Sequence, residues 1–349
     1  MASEDQLVDR IAKSLPSAMG RGRASGRAGL QVTLGIGDDA AILAPGRGTD
    51  WVLTCDAFVE GIHFLRDLHP ADSVGYKSLA RAASDIPAMG AQSRAFLLTL
   101  ALPQSLTDRW LDRFLVGMKR AARSLGLQLI GGDATKSPQV FISITVLGEV
   151  PRGRALARSG ARPGDLIYVS GRLGRAQLGL ELLRAGLRGK KAGGAAASAA
   201  LQQHLYPEIR VKLGAWLAQS RIASAMMDIS DGLSTDLARL CQASGVGARI
   251  DEQRIPCVEL PKASVRKLRR IRPDALQLAL HGGEDYELLF TVPRRHVSKL
   301  RGAPDFSQLT AIGEITRPRK ILLVDSAGRA RPLKSAGWDP FRKSLRAAK

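Results

Sequence analysis

The sequence predicts two α/β domains joined by a short polar segment. At 349 residues the chain is longer than a single hydrophobic core usually supports. Strand-like and helix-like patterns occur in both halves, which is typical of layered α/β domains. The turn-rich stretch 151–165 (PRGRALARSGARPGD) is the best candidate for the connection. We therefore expect an N-terminal domain over 1–150 and a C-terminal domain over 151–349.

In the N-terminal half, the helices and strands are predicted from the spacing of apolar residues and from the turn residues between them. A helix is predicted at 3–15, followed by a mobile basic loop at 17–29. The segment 73–85 reads as a helix that stops before Pro87, because proline cannot continue one. The clearest helix is 105–126, where apolar side chains recur on one face and Gly126 supplies the end. Strands are predicted over 30–45, 50–58, 93–103, 127–133 and 140–150.

The C-terminal half restarts the same alternation after residue 165. Its first strand is DLIYVSG (165–171), and a helix, a turn and a strand are predicted across 275–293. Helices are also expected within 206–220 and 234–245. The low-complexity stretch 186–203 (GLRGKKAGGAAASAALQQ) is interpreted as a flexible insertion.

Composition narrows the class of protein. The formal net charge is +20, from 52 Lys and Arg against 32 Asp and Glu. The basic residues are dispersed and not interleaved with aromatic residues, which favours a basic surface over a nucleic-acid partner. No apolar run is long enough for a bilayer, and no signal peptide is evident. Three cysteines without a close pair fit a reducing compartment, so we expect a cytoplasmic protein. From the charge distribution and the absence of a long apolar run, we expect neither a nucleic-acid partner nor a membrane partner.

The common nucleotide-binding signatures are absent or misleading. The stretch GIGDDA (35–40) formally matches a dinucleotide turn. Its Asp38 and Asp39 would repel a pyrophosphate, and the residues that follow look like a strand. Neither a phosphate-binding loop of the G-x-x-x-x-G-K-[ST] type nor a protein-kinase motif set occurs. If the protein binds a nucleotide, it must therefore bind the phosphates through a different motif.

Carboxylates are concentrated in short motifs flanked by glycine or serine. One such motif alone is best explained by helix capping or turn formation. Several in both halves favour a shared site for hard divalent cations, because carboxylates gathered in one pocket repel each other unless cations neutralise them. A histidine-poor and cysteine-poor set favours Mg²⁺ over zinc or copper. The motifs are GIGDDAAIL, TCDAFVEGIHF, SDIPAMGAQ, IGGDATKSP, MDISDGL and HGGEDYELLF.

Taken in order, these motifs resemble the thiamine-monophosphate kinases, within the superfamily of aminoimidazole-ribotide synthetase and selenophosphate synthetase. KSLARAASDIPAMGA, ARSGARPGDLIYVSG and GWDPF complete the match, which spans roughly 34–341 outside the 186–203 stretch. The resemblance implies a two-domain synthetase-like fold and a homodimer formed through its N-terminal domains. It also implies transfer of the γ-phosphoryl group of ATP to thiamine monophosphate, with several Mg²⁺ ions.

The resemblance also assigns site residues, position by position. The Mg²⁺ ligands implied are Asp39, Thr54, Asp56, Asp85, Asp133, Asp228 and Asp231. The nucleotide contacts implied are Gly132, Asp133, Arg158 and Ser230. The substrate contacts implied are His63, Glu284 and Trp338. Asp133 and Asp231 are the residues expected to matter most for catalysis.

The sequence departs from the family pattern at two positions, and two alternative functions remain open. Cys55 stands where members commonly carry threonine, and Leu115 stands where many carry a tyrosine near the nucleotide. Selenophosphate synthetase and its hydrogenase-maturation relative are disfavoured, since no cysteine precedes Cys55 or follows Cys257. An aminoimidazole-ribotide synthetase-like enzyme remains an alternative. A basic nucleic-acid-binding protein that has lost catalysis is the other.

Overall fold

The computed structural model describes residues 31–34, 39, 41–44, 48–188, 194–261, 268 and 273–341. The helix predicted at 3–15 and the basic loop 17–29 lie outside these residues. Within them the chain forms two sheets with helices packed against them, one sheet in each half. This arrangement confirms the predicted α/β class with two units. None of the described helices combines the length and the hydropathy that a membrane span requires.

The N-terminal sheet has six strands in the order β1-β2-β3-β6-β4-β5. All neighbours are antiparallel except β4 and β5, which run parallel. The long strands β3, β6 and β4 alternate buried and exposed side chains, as expected of a sheet covered on one face. The strands are β1 (Gln31–Leu34), β2 (Ala41–Ala44), β3 (Thr49–Val59), β4 (Gln92–Leu102), β5 (Gln128–Lys136) and β6 (Phe141–Pro151).

Helices α1 (Ala71–Ala88) and α2 (Arg109–Leu125) belong to the N-terminal half. They pack closely because glycines face the partner backbone: a Cβ at Gly75 would lie 2.0 Å from the carbonyl oxygen of Phe114. Gly126 ends α2 in the left-handed conformation, as predicted. The prediction that α1 stops before Pro87 was wrong, because Pro87 lies in the last turn and the helix ends only one residue later.

Most of α1 is buried, because it lies between the two halves of the chain. Thr54 of β3 contacts its C-terminal end from the first half, and Asp228 of the second sheet contacts it from the other. Gly214 also packs against it so closely that a Cβ there would lie 2.1 Å from the carbonyl oxygen of Pro87. This helix therefore fixes residues of both sheets relative to each other.

The C-terminal sheet has seven strands in the order β13-β12-β9-β11-β7-β10-β8. Strands β7, β10 and β8, at one end of this order, are almost entirely buried on both faces, and most of their side chains are apolar. The strands are β7 (Leu166–Ser170), β8 (Ala225–Ile229), β9 (Gly247–Asp251), β10 (Glu287–Val292), β11 (Leu309–Thr316), β12 (Ile321–Val324) and β13 (Ala330–Pro332). The helices are α3 (Arg175–Arg184), α4 (Ala195–Leu205), α5 (Val211–Ser220), α6 (Leu233–Ser244) and α7 (Ala275–His281).

The interpretation of 186–203 as a flexible insertion was wrong for its second part. Residues 195–205 form α4, which packs on α3 with Ala197, Ala200 and Leu201 buried. Alanine is the best helix former, and its small side chain allows close approach. A Cβ at Gly179 of α3 would lie 2.2 Å from the carbonyl oxygen of Ala200. A composition that resembles a linker is here a tightly packed helix.

The face of the N-terminal sheet opposite α1 carries exposed apolar side chains. Trp51, Leu97 and Phe141 point from this face, and Leu129 and Ile130 are exposed on the edge strand β5. Every residue of β5 is exposed. Monomeric proteins rarely leave such a patch uncovered, so it marks a surface suited to a partner.

Candidate active site

Three carboxylates from distant parts of the sequence meet where the two halves of the chain face each other. One oxygen from each of Asp39, Asp85 and Asp228 lies within 4.8 Å of the others. Asp39 is in the turn between β1 and β2, Asp85 is in the last turn of α1, and Asp228 is in β8. The structure therefore brings together three of the seven residues predicted as metal ligands. We call them the carboxylate cluster.

Hydroxyl groups hold two of these carboxylates in place. The Thr54 hydroxyl donates to Oδ2 of Asp85 at 2.5 Å, and the Ser84 hydroxyl donates to Oδ2 of Asp228 at 2.6 Å. Thr54 is itself one of the predicted ligands, and it lies on the same face of β3 as Asp56 because side chains alternate along a strand. The neighbouring Cys55 points to the other face, where its Sγ lies 3.6 Å from the hydroxyl oxygen of Ser143.

The carboxylate cluster is electrostatically unfavourable without a cation. Burial, followed by the charges of Asp228 and Asp39, raises the pKa of Asp85 well above its usual value. Burial and the charge of Asp39 raise the pKa of Asp228 to about 7. The donors are all oxygen, from carboxylates and the Thr54 hydroxyl, which is the set that a hard divalent cation prefers. The residues therefore fit Mg²⁺.

Arginines pair with the carboxylates at the rim. The Arg158 guanidinium donates to Oδ1 of Asp39, from Nε at 2.9 Å and also from a terminal nitrogen. Arg81 of α1 donates to Oδ2 of Asp56 at 3.0 Å.

Asp231, which follows β8, pairs with Arg239 of α6. Its backbone N–H also donates to the buried carboxylate of Asp236 at 3.0 Å. These pairs at the rim limit the excess negative charge around the carboxylate cluster.

Asp133 and Gly132 lie apart from the carboxylate cluster. The sheet register runs from Ala57 of β3 through Ser143 and Thr99 to Asp133 of β5. Three strand spacings, about 14 Å, therefore separate β5 from β3. Asp133 shares the outer face of the sheet with Ala57, whereas Asp56 is on the face that α1 covers. Within one chain the structure does not bring Asp133 to the other predicted ligands.

Two of the predicted substrate residues are tied to the segment that carries Asp228 and Asp231. The backbone N–H of Glu284 donates to the carbonyl oxygen of Ser230 at 2.7 Å. The backbone N–H of Trp338 donates to the carbonyl oxygen of Asp231 at 2.8 Å, and the Trp338 ring is 45% exposed. The backbones of both residues therefore lie beside the same end of β8.

His63 is the third predicted substrate residue. Its Nδ1 accepts a hydrogen bond from the backbone N–H of Val59 at 3.0 Å, and its ring stacks on Phe58. Burial, with the nearby charge of Arg81, lowers the pKa of His63 to about 3. The ring is therefore neutral at physiological pH, and its Nε2–H remains as a donor.

The sequence reasoning predicted Asp85 but missed two charged side chains on the same helix, Lys77 and Arg81. Lys77, Arg81 and Asp85 are spaced by four residues, which places them on one face of the helix. Lys77 donates to Oε2 of Glu284 at 2.6 Å, and Arg81 contacts Asp56. The spacing was visible in the sequence, but its long-range partners were not.

Buried histidines beside this face give a prediction for pH-dependent stability. Burial, with the charge of Lys77, lowers the pKa of His69 to about 4, whereas it is about 6.5 in an unfolded chain. The unfolded chain then binds more protons below pH 6.5, so stability is present above that pH and is lost as the pH falls towards 4. The free energy of unfolding of the wild type should fall between pH 7 and pH 5. In His69→Gln this fall should be smaller by about 2 kcal/mol. Denaturant titrations at both pH values measure this difference, and an identical fall in both proteins would contradict it.

Comparisons with known proteins agree with this architecture. Residues 37–150 match the family model for the AIR synthase related protein, N-terminal domain, and residues 162–325 match the model for the C-terminal domain. The thiamine-monophosphate kinase of Escherichia coli K12 is 39% identical over 89% of this chain and 93% of its own length. The thiamine-monophosphate kinase of Aquifex aeolicus is 35% identical over 96% of this chain and 97% of its own length.

Solved structures give the same result. The structure described as AaThiL complexed with AMPPCP and TMP aligns with a TM-score of 0.80 at 32% identity, covering 97% of both chains. Thiamine-monophosphate kinase from Stenotrophomonas maltophilia aligns with a TM-score of 0.69 at 34% identity, covering 93% of this chain and 96% of the other.

The two matched domains and the carboxylate cluster between them define a protein of the AIR synthase related class. Within that class, sequence identity to the two kinases over nearly the whole length of the chain identifies the family. The chain belongs to the thiamine-monophosphate kinase family, and it is an enzyme of the phosphotransferase type.

Proposed function

We propose that this chain transfers the γ-phosphoryl group of ATP directly to thiamine monophosphate, giving thiamine diphosphate and ADP, with Mg²⁺ held by the carboxylate cluster. The convergence of Asp39, Asp85 and Asp228 supports this proposal, because both substrates are polyanions that only cations can bring together. The AaThiL structure was solved with AMPPCP and TMP, an ATP analogue and the proposed acceptor.

The chemistry requires alignment more than proton transfer. A phosphate monoester has a second pKa near 6, so its oxygen is already largely anionic at neutral pH. That oxygen forms a bond to the γ-phosphorus, and the bond from the γ-phosphorus to the β,γ-bridging oxygen breaks as ADP leaves. No general base is therefore needed. Bound Mg²⁺ would neutralise the phosphate oxygens and orient them for in-line displacement.

The residues of this chain would divide the remaining work. We propose that the cation ligands are Asp39, Thr54, Asp56, Asp85, Asp228 and Asp231. Arg158, beside Asp39, is suited to bind nucleotide phosphate oxygens with its forked guanidinium, and Ser230 would contact the nucleotide from the end of β8. Glu284 would accept a hydrogen bond from the aminopyrimidine ring of thiamine monophosphate. The Trp338 ring would pack on a flat ring of the substrate, and the neutral His63 would donate from Nε2.

We also propose a homodimer in which the N-terminal sheets pair through the exposed apolar face. The face carries Trp51, Leu97 and Phe141 and ends at the fully exposed edge strand β5. Pairing would cover this apolar surface and would bring Gly132 and the predicted ligand Asp133 to a second chain. In this arrangement the partner subunit's Asp133 completes the cation set that Asp39, Asp85 and Asp228 begin.

Domain boundaries and location follow the same proposal. The first sheet ends with β6 at Pro151 and the second begins with β7 at Leu166, which supports a connection within 151–165 between an N-terminal domain over 1–150 and a C-terminal domain over 151–349. All three cysteines are free thiols. We infer that the enzyme works in the cytoplasm, where ATP and Mg²⁺ are available.

The proposed function is tested by turnover with a matched acceptor. Purified protein with ATP and Mg²⁺ should convert thiamine monophosphate to thiamine diphosphate, with one ADP formed per product. Thiamine, which lacks the acceptor phosphate, should give no product. Absence of thiamine diphosphate across Mg²⁺ and Mn²⁺ concentrations would refute the proposal, and phosphorylation of a different phosphomonoester in a substrate panel would redirect it.

A further inference from the structure

A buried lysine contacts one of the proposed substrate residues. Lys77 of α1 is only 1% exposed, and its Nζ donates to Oε2 of Glu284 at 2.6 Å. A buried ammonium is costly unless it is paired and hydrogen-bonded. The position therefore carries a charge whose immediate partner is a residue of the proposed active site.

Glu284 presents two different oxygens. Oε2 is held by Lys77, whereas Oε1 makes no hydrogen bond among the described residues and the side chain is 24% exposed. The carboxylate is thus anchored on its inner side and open on its outer side. An ionised carboxylate only accepts hydrogen bonds, so the open oxygen is suited to a ligand that donates an N–H.

The backbone around Glu284 is strained into this position. Glu284 and Tyr286 both adopt positive φ, at 68° and 51°. Residues other than glycine rarely adopt this left-handed conformation, because their Cβ crowds the following carbonyl oxygen. Hydrogen bonds from the backbone N–H of Glu284 to Ser230 and of Tyr286 to Ile229 hold the turn against the end of β8. The turn therefore aims the Glu284 carboxylate at Lys77.

Two buried histidines pack beside the ammonium group of Lys77. His204 of α4 places Nδ1 3.4 Å from Nζ of Lys77, and its Nε2 lies 2.9 Å from Nε2 of His69. Nδ1 of His69 lies 3.0 Å from the carbonyl oxygen of Leu65. His204 Nδ1 also lies 3.4 Å from Oε2 of Glu284, and Nδ1 of His69 faces the backbone N–H of Leu65 at 3.1 Å. The lysine is thereby held in one orientation.

We propose that Lys77 is a positioning residue for the thiamine monophosphate site, which holds Oε2 of Glu284 so that Oε1 is a fixed acceptor for the amino group of the substrate's aminopyrimidine ring. This inference rests on the proposed function. Lys77 does not touch the substrate itself, and it acts through Glu284. Its loss should weaken binding of thiamine monophosphate while leaving the binding of ATP and the transfer step nearly intact.

A double-mutant cycle tests this coupling. Lys77→Met should raise KM for thiamine monophosphate about tenfold, change kcat by less than about threefold and leave KM for ATP unchanged, as expected when binding common to ground and transition states is lost. In the Glu284→Gln background the same substitution should change KM by less than about twofold, because its partner is already altered. Lys119→Met, at an exposed lysine of α2, is the matched control and should keep wild-type constants.

Several outcomes would overturn the inference. These are an unchanged KM in Lys77→Met, an equal increase of KM in both Glu284 backgrounds, or a loss of kcat alone. If Lys77→Met does not fold by thermal unfolding and size-exclusion chromatography, Lys77→Gln in both backgrounds decides by the same criteria. A wild-type protein that does not turn over thiamine monophosphate would refute the proposed function and this inference with it. Wild-type turnover with unchanged Lys77→Met constants would refute this inference alone.

Discussion

Asp228→Asn is expected to lower kcat by roughly 10³-fold and to raise the thermal midpoint of the metal-free protein. Asp228 is fully buried in β8 and lies beside Asp39 and Asp85. Its pKa of about 7 in the folded chain exceeds the unfolded value of 3.8, so the folded state binds more protons between these values. Stability of the metal-free protein is therefore lost as the pH rises from about 4 to about 7. A neutral asparagine removes that loss and keeps an oxygen for the Ser84 hydroxyl.

Two measurements separate this effect from simple damage to the fold. The thermal midpoint in EDTA at pH 8 should be higher in Asp228→Asn than in wild type, and the increase on adding Mg²⁺ should be smaller. Asp50→Asn is the control, because Asp50 is a buried carboxylate that accepts from the backbone N–H of Gly153 outside the carboxylate cluster. It should keep kcat within about threefold and show no gain in metal-free stability. A lower midpoint with an unchanged response to Mg²⁺ in Asp228→Asn would contradict the role in metal binding.

The sequence was sufficient to predict the α/β class and the convergence of three acidic residues from distant motifs. Short motifs such as MDISDGL carry both the local structure and the functional group, since a buried strand ends where its carboxylates begin. Asp228 and Asp231 were predicted as Mg²⁺ ligands from this motif, whereas strand β8, which carries Asp228, was not predicted. The convergence of Asp39 and Asp85 on the same point was inferred from the repetition of the motifs, and the structure brings these two together with Asp228.

The unpredicted part of the site depends on contacts between remote residues. Lys77 and Glu284 are separated by 207 positions and Lys77 and His204 by 127, so no local pattern reports their proximity. His204 also lies on α4, in the stretch that begins as a low-complexity sequence. The composition of this stretch suggested a flexible insertion, whereas its packing against α3 stabilises a helix. Tertiary contacts, which single-sequence patterns do not encode, supplied the missing residues.

Asp133 shows a different limit of sequence reasoning. Its motif IGGDATKSP predicts a ligand, but the sheet register places it about 14 Å from the β3 strand and on the opposite face from Asp56. A motif can indicate the chemistry of a residue while leaving undetermined which chain of an assembly that residue serves. In the proposed homodimer, the edge strand β5 delivers this carboxylate to the other subunit.

Complementation between two inactive variants should therefore restore activity. Asp133→Asn and Asp228→Asn homodimers are each expected to lose most turnover, because every site lacks one ligand. In a heterodimer of the two variants, one site would carry both substitutions and the other would carry neither. Statistical exchange of subunits gives half heterodimers, so an equimolar mixture should reach about a quarter of wild-type kcat per chain. The mixture is prepared by unfolding and refolding the two variants together, or by co-expression with two affinity tags.

The control uses two variants whose substitutions affect the same site. Asp85→Asn and Asp228→Asn both alter the carboxylate cluster of a single chain, so in their heterodimer every site retains one defect and activity should stay near that of the separate variants. Size-exclusion chromatography with light scattering on the wild type first tests whether it is a dimer. Recovery in the Asp133 mixture and not in the control would locate the missing ligand in the second subunit. No recovery from tagged heterodimers of proven composition would contradict completion of the site in trans and would place Asp133 outside the metal set.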